Sequence, residues 1–170
     1  MNLTIDIGNT RTKIALFDGE TFVREEKFEN TDAEHLLNVV KEKEAEGLAF
    51  CSVAAENPLL VEALKQLPYP VLEVKGTTPA PVTVAYRTPE TLGADRLAAV
   101  VGAVTLKPQT DLLVVDAGTC ITYDFVDAAG NYLGGNISPG VEMRLEALHN
   151  CTARLPRIEA DGDTPDIGHD

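Results

Sequence analysis

The residues best suited to chemistry fall in two short runs, each a carboxylate followed two positions later by a glycine. The first is Asp6-Ile7-Gly8-Asn9-Thr10-Arg11-Thr12-Lys13 and the second is Asp116-Ala117-Gly118-Thr119. Glycine lacks a Cβ, so neighbouring backbone N–H groups can come close to an anion. Asn9, Thr10 and Thr12 add side-chain donors, and Lys13 adds a positive charge. A carboxylate beside such an anion makes electrostatic sense only with a cation between them, so Asp6 is placed to hold a hydrated metal ion. Leu3-Thr4-Ile5 and Ile14-Ala15-Leu16-Phe17 flank the first run; Leu113-Val114-Val115 and Tyr123-Asp124-Phe125-Val126 flank the second. Each therefore reads as strand, tight turn, strand. Leu3, Ile5, Asp6 and Gly8 fall in register with Leu113, Val115, Asp116 and Gly118. One such hairpin is explained equally well as an ordinary glycine turn; two predict duplicated domains facing a nucleotide between them.

The elements that must position these turns alternate between strand and helix. Thr21-Phe22-Val23 reads as a third strand, followed by a charged stretch to Asn30. Thr31 can cap a helix, with Glu34 three residues on, that runs to about Glu46 and stops at Gly47. Leu48 to Val53 is a buried strand, Leu59 to Leu67 a helix opened by Pro58, and Val71 to Val74 a further strand. A Thr/Pro-rich crossover, Gly76 to Pro81, leads to extended sequence at Val82 to Tyr86 and a helix from about Leu97 to Leu106. After the second hairpin come Tyr132 to Gly140 and a helix from Val141 to Leu155. This alternation supports an α/β fold with a partly parallel sheet. A third run, Leu92-Gly93-Ala94-Asp95-Arg96, sets a carboxylate and a guanidinium at a helix start, where backbone donors point outward. The plainer alternative is that Asp95 caps the helix and Arg96 is its surface neighbour. Tyr86 alone fits a core or an edge strand equally.

The 170 residues carry a net charge of −13 without a basic cluster, which argues against binding nucleic acid through its phosphates. Hydrophobic content of 44% is enough for a core, and with no Trp that core must be mainly Val, Leu, Ile and Ala. No run approaches the ~18 apolar residues of a membrane span, and the chain begins directly with strand-like sequence rather than a leader. Three cysteines, Cys51, Cys120 and Cys151, include no Cys-x-x-Cys pair. They are expected to be reduced, mostly buried thiols of a cytoplasmic protein, not metal ligands.

Taken together, the two Asp-x-Gly hairpins, Tyr86, the Gly93 to Arg96 turn and the run Gly134-Gly135-Asn136-Ile137-Ser138-Pro139-Gly140 resemble type III pantothenate kinase in order and spacing, from Asn2 to about Pro156. That family belongs to the actin, sugar-kinase and Hsp70-type phosphotransferase superfamily. The resemblance implies an α/β fold of two RNase H-like (actin-like ATPase) domains with mixed sheets, residues 1–108 and 109–170, the second incomplete. It implies ATP-dependent phosphorylation of the terminal hydroxyl of pantothenate, the first step towards coenzyme A, and a homodimer. Asp6, Ile7, Gly8, Asn9, Thr10, Arg11, Thr12 and Lys13 match the first phosphate motif, Thr119 the second phosphate contact, and Asp116 a monovalent-cation ligand for K⁺ or NH₄⁺. Mg²⁺ accompanies ATP, with Asp6 nearby. Tyr86, Gly93, Ala94, Asp95 and Arg96 match the pantothenate site, with Asp95 as catalytic base. Thr88 stands where the family has Asn before a proline, and Ile167-Gly168 resembles the start of a further motif whose threonine contacts pantothenate. That threonine lies outside the 170 residues, so weak ATP binding and little turnover are expected of them. Two other readings remain: a kinase for another small hydroxylated metabolite, or a non-catalytic regulatory protein on the same fold. They separate on whether Tyr86 and Asp95-Arg96 line a pocket beside the nucleotide cleft.

Overall fold

The computed structural model describes residues 1–29, 33–42, 45–53 and 58–159. The expected cap at Thr31 and the polar end around Ile167-Gly168 lie outside them.

The first half builds a five-stranded sheet in the order β3-β2-β1-β4-β5. β1 (Asn2–Ile7) pairs antiparallel with β2 (Arg11–Asp18) and parallel with β4 (Gly47–Ser52). β3 (Thr21–Glu29) and β5 (Val71–Glu73) form the edges. Successive side chains point to opposite faces of a strand, so Leu3, Ile5, Ile7, Ile14, Leu16, Leu48 and Phe50 share one face and are buried. α1 (Ala33–Lys41) and α2 (Pro58–Lys65) close that face with Leu36, Val40, Leu60 and Leu64. Burying each such side chain contributes about 1.5–3 kcal/mol, so this face holds the half together. Thr4, Asp6, Lys13, Ala15 and Ala49 are left on the opposite face, which lines a groove.

The second sheet runs β6-β9-β8-β7. β7 (Leu112–Ala117), β8 (Cys120–Val126) and β9 (Asn131–Pro139) form an antiparallel meander, and β6 (Thr83–Val84) adds in parallel to β9. α3 (Ala94–Leu106) packs Leu97 and Val100 against Val126, Tyr132 and Val114 on one face of this sheet, and also reaches β4 of the first. It is therefore a wedge between the two sheets. α4 (Val141–Asn150) follows β9 and buries none of its residues.

Several boundaries differ from the sequence reading. The charged stretch after Val23 is strand: β3 pairs with β2 from Thr21 to Glu29, and its alternating charges suit an exposed edge. α1 ends at Lys41, and Glu46 already donates its N–H to the Met1 carbonyl, joining the sheet. α3 begins three residues earlier than expected, because Gly93 in extended conformation is the N-cap and the Leu97 N–H returns to its carbonyl at 3.1 Å. α4 stops at Asn150, where Cys151 turns the chain and the Thr152 hydroxyl takes the Leu148 carbonyl. The second sheet has four strands, one of which, β6, comes from the N-terminal side of the boundary expected at residue 108. Of the three thiols only Cys51 is buried; Cys120 and Cys151 are exposed because the turn after β7 and α4 have little packed over them.

Candidate active site between the two hairpins

The turns differ by one residue. Ile7 pairs with Thr12, leaving Gly8 to Arg11 as the first turn; Ala117 pairs with Ile121, leaving Gly118 to Cys120 as the second. Each glycine N–H closes its own turn, Gly8 onto the Arg11 carbonyl at 3.0 Å and Gly118 onto the Cys120 carbonyl at 2.9 Å. Gly8 does not take a positive φ; it is needed for tightness, since a Cβ would sit 3.0 Å from the Arg11 oxygen. These N–H groups are thus engaged within the turns, and side chains carry more of any anion contact. The tips meet: the hydroxyls of Thr10 and Thr119 lie 3.4 Å apart, although 109 residues separate them in sequence.

Just inside this mouth, register sets three side chains in a row on the groove face. Asp6 stands opposite Lys13 on one side and Cys51 on the other. Lys13 Nζ is 3.7 Å from Asp6 Oδ2, and the Cys51 thiol donates to Asp6 Oδ1 at 3.6 Å. Burial, reinforced by the negative charges of Asp6 and Asp95, pushes the Cys51 thiol up to about 12, so it stays protonated. The groove beyond has a volume of about 300 Å³ and reaches Ala98 of α3. Asp95 precedes Ala98 by three residues and so shares its helix face. It is half-buried inside the first turn of α3, accepting the Arg96 N–H at 2.8 Å. The N-cap is Gly93, so Asp95 is not the cap.

Arg96 turns the other way and is buried, not a surface neighbour. Its Nε donates to both oxygens of Asp124, at 3.1 and 3.2 Å, and its Nη2 also bonds Oδ1. Burial opposes the guanidinium charge, but the hydrogen bonds and charge of Asp124 outweigh it and hold the arginine pKa above its ordinary value. The Tyr132 hydroxyl donates to the same Asp124 oxygen. Its burial, with Asp124 beside it, raises the Tyr132 pKa well above that of a free phenol. Tyr86, half-buried, lies with its ring centroid 5.7 Å from the Arg96 guanidinium carbon and 5.6 Å from the Tyr132 ring.

Asp6 and Lys13 thus line the groove, and Thr10 and Thr119 meet at the turn tips. Asp95 is not one of the lining residues but lies close enough for its charge to act on Cys51, which is. Asn9 and Arg11 are exposed on the first turn, and Asp116 is exposed at the end of β7. Two expected phosphate residues point elsewhere: Ile7 and Thr12 are buried on the core face, because Thr12 alternates with Lys13 and sides with Ile14. Thr88 pairs its hydroxyl with that of Thr91 at 2.8 Å, across a 3₁₀ turn at Pro89–Thr91. Sequence reasoning passed over Asp124, Tyr132 and Cys51; the one available signal was a carboxylate in the middle of an apolar strand. Among the described residues no three His, Cys, Asp or Glu side chains form a metal cage. Single carboxylates such as Asp6 and Asp116 suit an ion that arrives with phosphate oxygens and its own water.

The sequence profile of the type III pantothenate kinase family matches residues 2–170. A type III pantothenate kinase of Bacteroides fragilis is 49% identical over 170 residues, covering 100% of this chain and 70% of the relative. One from Flavobacterium johnsoniae is 42% identical over 164 residues, covering 95% and 66%. Among solved structures, a Campylobacter jejuni protein assigned to the Baf family of transcriptional activators superposes with a TM-score of 0.58 at 23% identity, over 96% of this chain and 68% of that one. An Aquifex aeolicus Ppx/GppA phosphatase superposes with a TM-score of 0.50 at 18% identity, over 86% and 54%. At these identities the superpositions speak for the fold alone, a mixed α/β architecture built on two mixed sheets. With its profile matched from end to end and close relatives bearing the same name, the chain belongs to the type III pantothenate kinase family.

Proposed function

We propose that this chain transfers the γ-phosphoryl group of ATP to the terminal hydroxyl of pantothenate, opening coenzyme A biosynthesis. The observation that carries the reading is the meeting of Thr10 and Thr119 at the turn tips, with Asp6 and Lys13, one strand position inside the first turn, lining a groove that reaches α3. Thr10, Asn9 and Thr119 offer hydroxyl and amide donors to the phosphates. Lys13 moves from Asp6 to the incoming phosphate, a small rearrangement because the pair is half-exposed and 3.7 Å apart. Asp95 aims the acceptor hydroxyl and takes its proton late. Phosphoryl transfer passes through a loose transition state, so aim matters more than early deprotonation. Tyr86 and the Gly93–Arg96 turn form the acceptor side. Asp6 would hold Mg²⁺ together with the phosphates, and Asp116 a monovalent cation, K⁺ or NH₄⁺; bound there, these ions neutralise charge on the polyphosphate.

The exposed apolar side chains of α4, Val141, Met143 and Leu148, favour self-association, in keeping with a homodimer. A kinase using ATP and reduced thiols fits the cytoplasm; among the described residues no helix is long and apolar enough to cross a membrane. The test is incubation with Mg-ATP and pantothenate, followed by mass spectrometry. Formation of 4′-phosphopantothenate supports the reading, and ATP hydrolysis unaffected by pantothenate contradicts it.

A further inference from the structure

Resting on the kinase reading above, we propose that Asp124 of β8 is a positioning residue for the acceptor side of the cleft. It touches neither groove nor turns. Its two carboxylate oxygens instead hold Arg96 and Tyr132, the two residues that flank the Tyr86 ring. One buried carboxylate therefore fixes both walls of the slot in which Tyr86 sits. Through Arg96 it also pins the first turn of α3, the turn that carries Asp95.

The surroundings are shaped for this contact. Asp124 is 1% exposed, Tyr132 0% and Arg96 8%, so three polar groups share one interior site. Removing two charges from water is costly, and the interior offers a return only when geometry and hydrogen bonding are nearly complete. The two-oxygen grip on the guanidinium meets that condition. Across the sheet Asp124 stands opposite Gly135. A Cβ there would lie 2.0 Å from the Tyr123 carbonyl oxygen, 2.5 Å from Asp124 Oδ1 and 2.7 Å from Arg96 Nη2. The preceding Gly134 takes φ +128°, a conformation strained for any residue with a side chain, and a Cβ on it would meet the Tyr86 ring at 3.8 Å, an ordinary contact. Of the glycine pair in the Gly134 to Gly140 run, Gly135 thus makes room for the ion pair, and Gly134 supplies the backbone turn beside Tyr86.

A hydrophobic plug at Arg96 and Asp124 would hold α3 to the sheet equally well. Directional bonds add orientation: the guanidinium plane is set by Asp124, and the Tyr86 ring rests beside that plane. Because small losses of aim are expensive in phosphoryl transfer, a fixed Tyr86 and Asp95 matter to the acceptor while leaving the phosphate turns untouched. The hydroxyls of Thr10 and Thr119 belong to a separate set of contacts.

The experiment uses the whole 170-residue chain with Asp124→Asn and, as the gentler change, Tyr132→Phe. Affinities for pantothenate and for Mg-ADP are measured by titration calorimetry, alongside the unfolding midpoint. The expected result is a loss of pantothenate affinity of about 10-fold or more in Asp124→Asn and a smaller loss in Tyr132→Phe, with Mg-ADP affinity within about twofold of the parent. If Asp124→Asn fails to fold, Tyr132→Phe decides alone, since it deletes one hydroxyl and leaves the ion pair. Equal pantothenate affinity in parent and variants overturns the positioning role, as does a parallel fall in both affinities that follows the loss of stability. A parent chain without affinity for pantothenate overturns the kinase reading itself, and this inference with it.

Discussion

Leu3 and Ile5 of β1 are 1% and 2% exposed, whereas Leu113 and Val115, at the matching positions of β7, are 53% and 51% exposed. The two hairpins share their strand chemistry and their Asp-x-Gly turns. They differ in what surrounds them. β1 lies between β2 and β4, with α1 and α2 over its apolar face; β7 is an edge strand whose outward apolar face meets no helix among the described residues. Phe125 and Leu133 extend that open face. Yet the second turn keeps its form, because its hydrogen bonds are local and α3 supports the inner face of its sheet. Turn geometry is thus encoded locally, and burial is a property of the neighbours. In the kinase reading proposed above the two sheets also divide labour: each would face phosphate with its turn, while α3, which bears Asp95, packs on the second sheet and reaches β4 of the first.

The division of labour gives the largest expected effect. Asp95→Asn should reduce phosphoryl transfer by about 10²- to 10⁴-fold, the range for a group that handles the transferred proton. Nucleotide affinity should stay near the parent value, measured by Mg-ADP titration; an equal loss of nucleotide affinity would remove Asp95 from the acceptor side.

The burial contrast is broken or upheld by truncating matched positions. Leu3→Ala should cost about 2–5 kcal/mol in urea unfolding, as for other core leucines. Leu113→Ala should stay within about 0.5 kcal/mol. Comparable costs would mean that something covers the outer face of β7 in solution.

A third test compares glycines. Gly135→Ala forces a Cβ into the Tyr123 carbonyl and the Asp124 carboxylate, and should cost about 1–3 kcal/mol or more. Gly118→Ala meets its nearest atom at 3.9 Å and should be nearly neutral. Thermal unfolding of the two variants reads the difference.

The smallest effect is a pH dependence. The Cys51 thiol is raised from its ordinary 9.0 to about 12, chiefly by burial, so the fold favours its protonated form. Its contribution is complete below pH 9 and is lost as the pH climbs towards 12. Over that window the parent should therefore lose more stability than Cys51→Ala, by urea titration at each pH. Parallel curves would place Cys51 in ordinary solvent.

Much of this was legible along the chain, because strand alternation and the Asp-x-Gly turns are short-range signals. The helix carrying Asp95 and the burial of Leu3 and Ile5 follow from periodicity. Arg96 and Asp124 do not. An aspartate flanked by Tyr123 and Phe125 reads as the solvent side of a half-buried strand, and only packing of α3 onto that face makes it interior. The parallel pairing of β6 with β9 is equally hidden, since parallel neighbours are joined by long crossovers with no local mark. Thr12 shows the converse: a hydroxyl in a donor-rich turn suggests phosphate, while register sends it to the core.

The account rests most directly on both turns serving one polyphosphate. Titration of the ¹⁵N-labelled chain with a non-hydrolysable Mg-ATP analogue, followed by amide chemical shifts, tests this without requiring turnover. The account predicts that the amides from Gly8 to Lys13 and from Gly118 to Cys120 shift together along one binding curve. Movement of one turn alone, or two curves with different Kd, would contradict it.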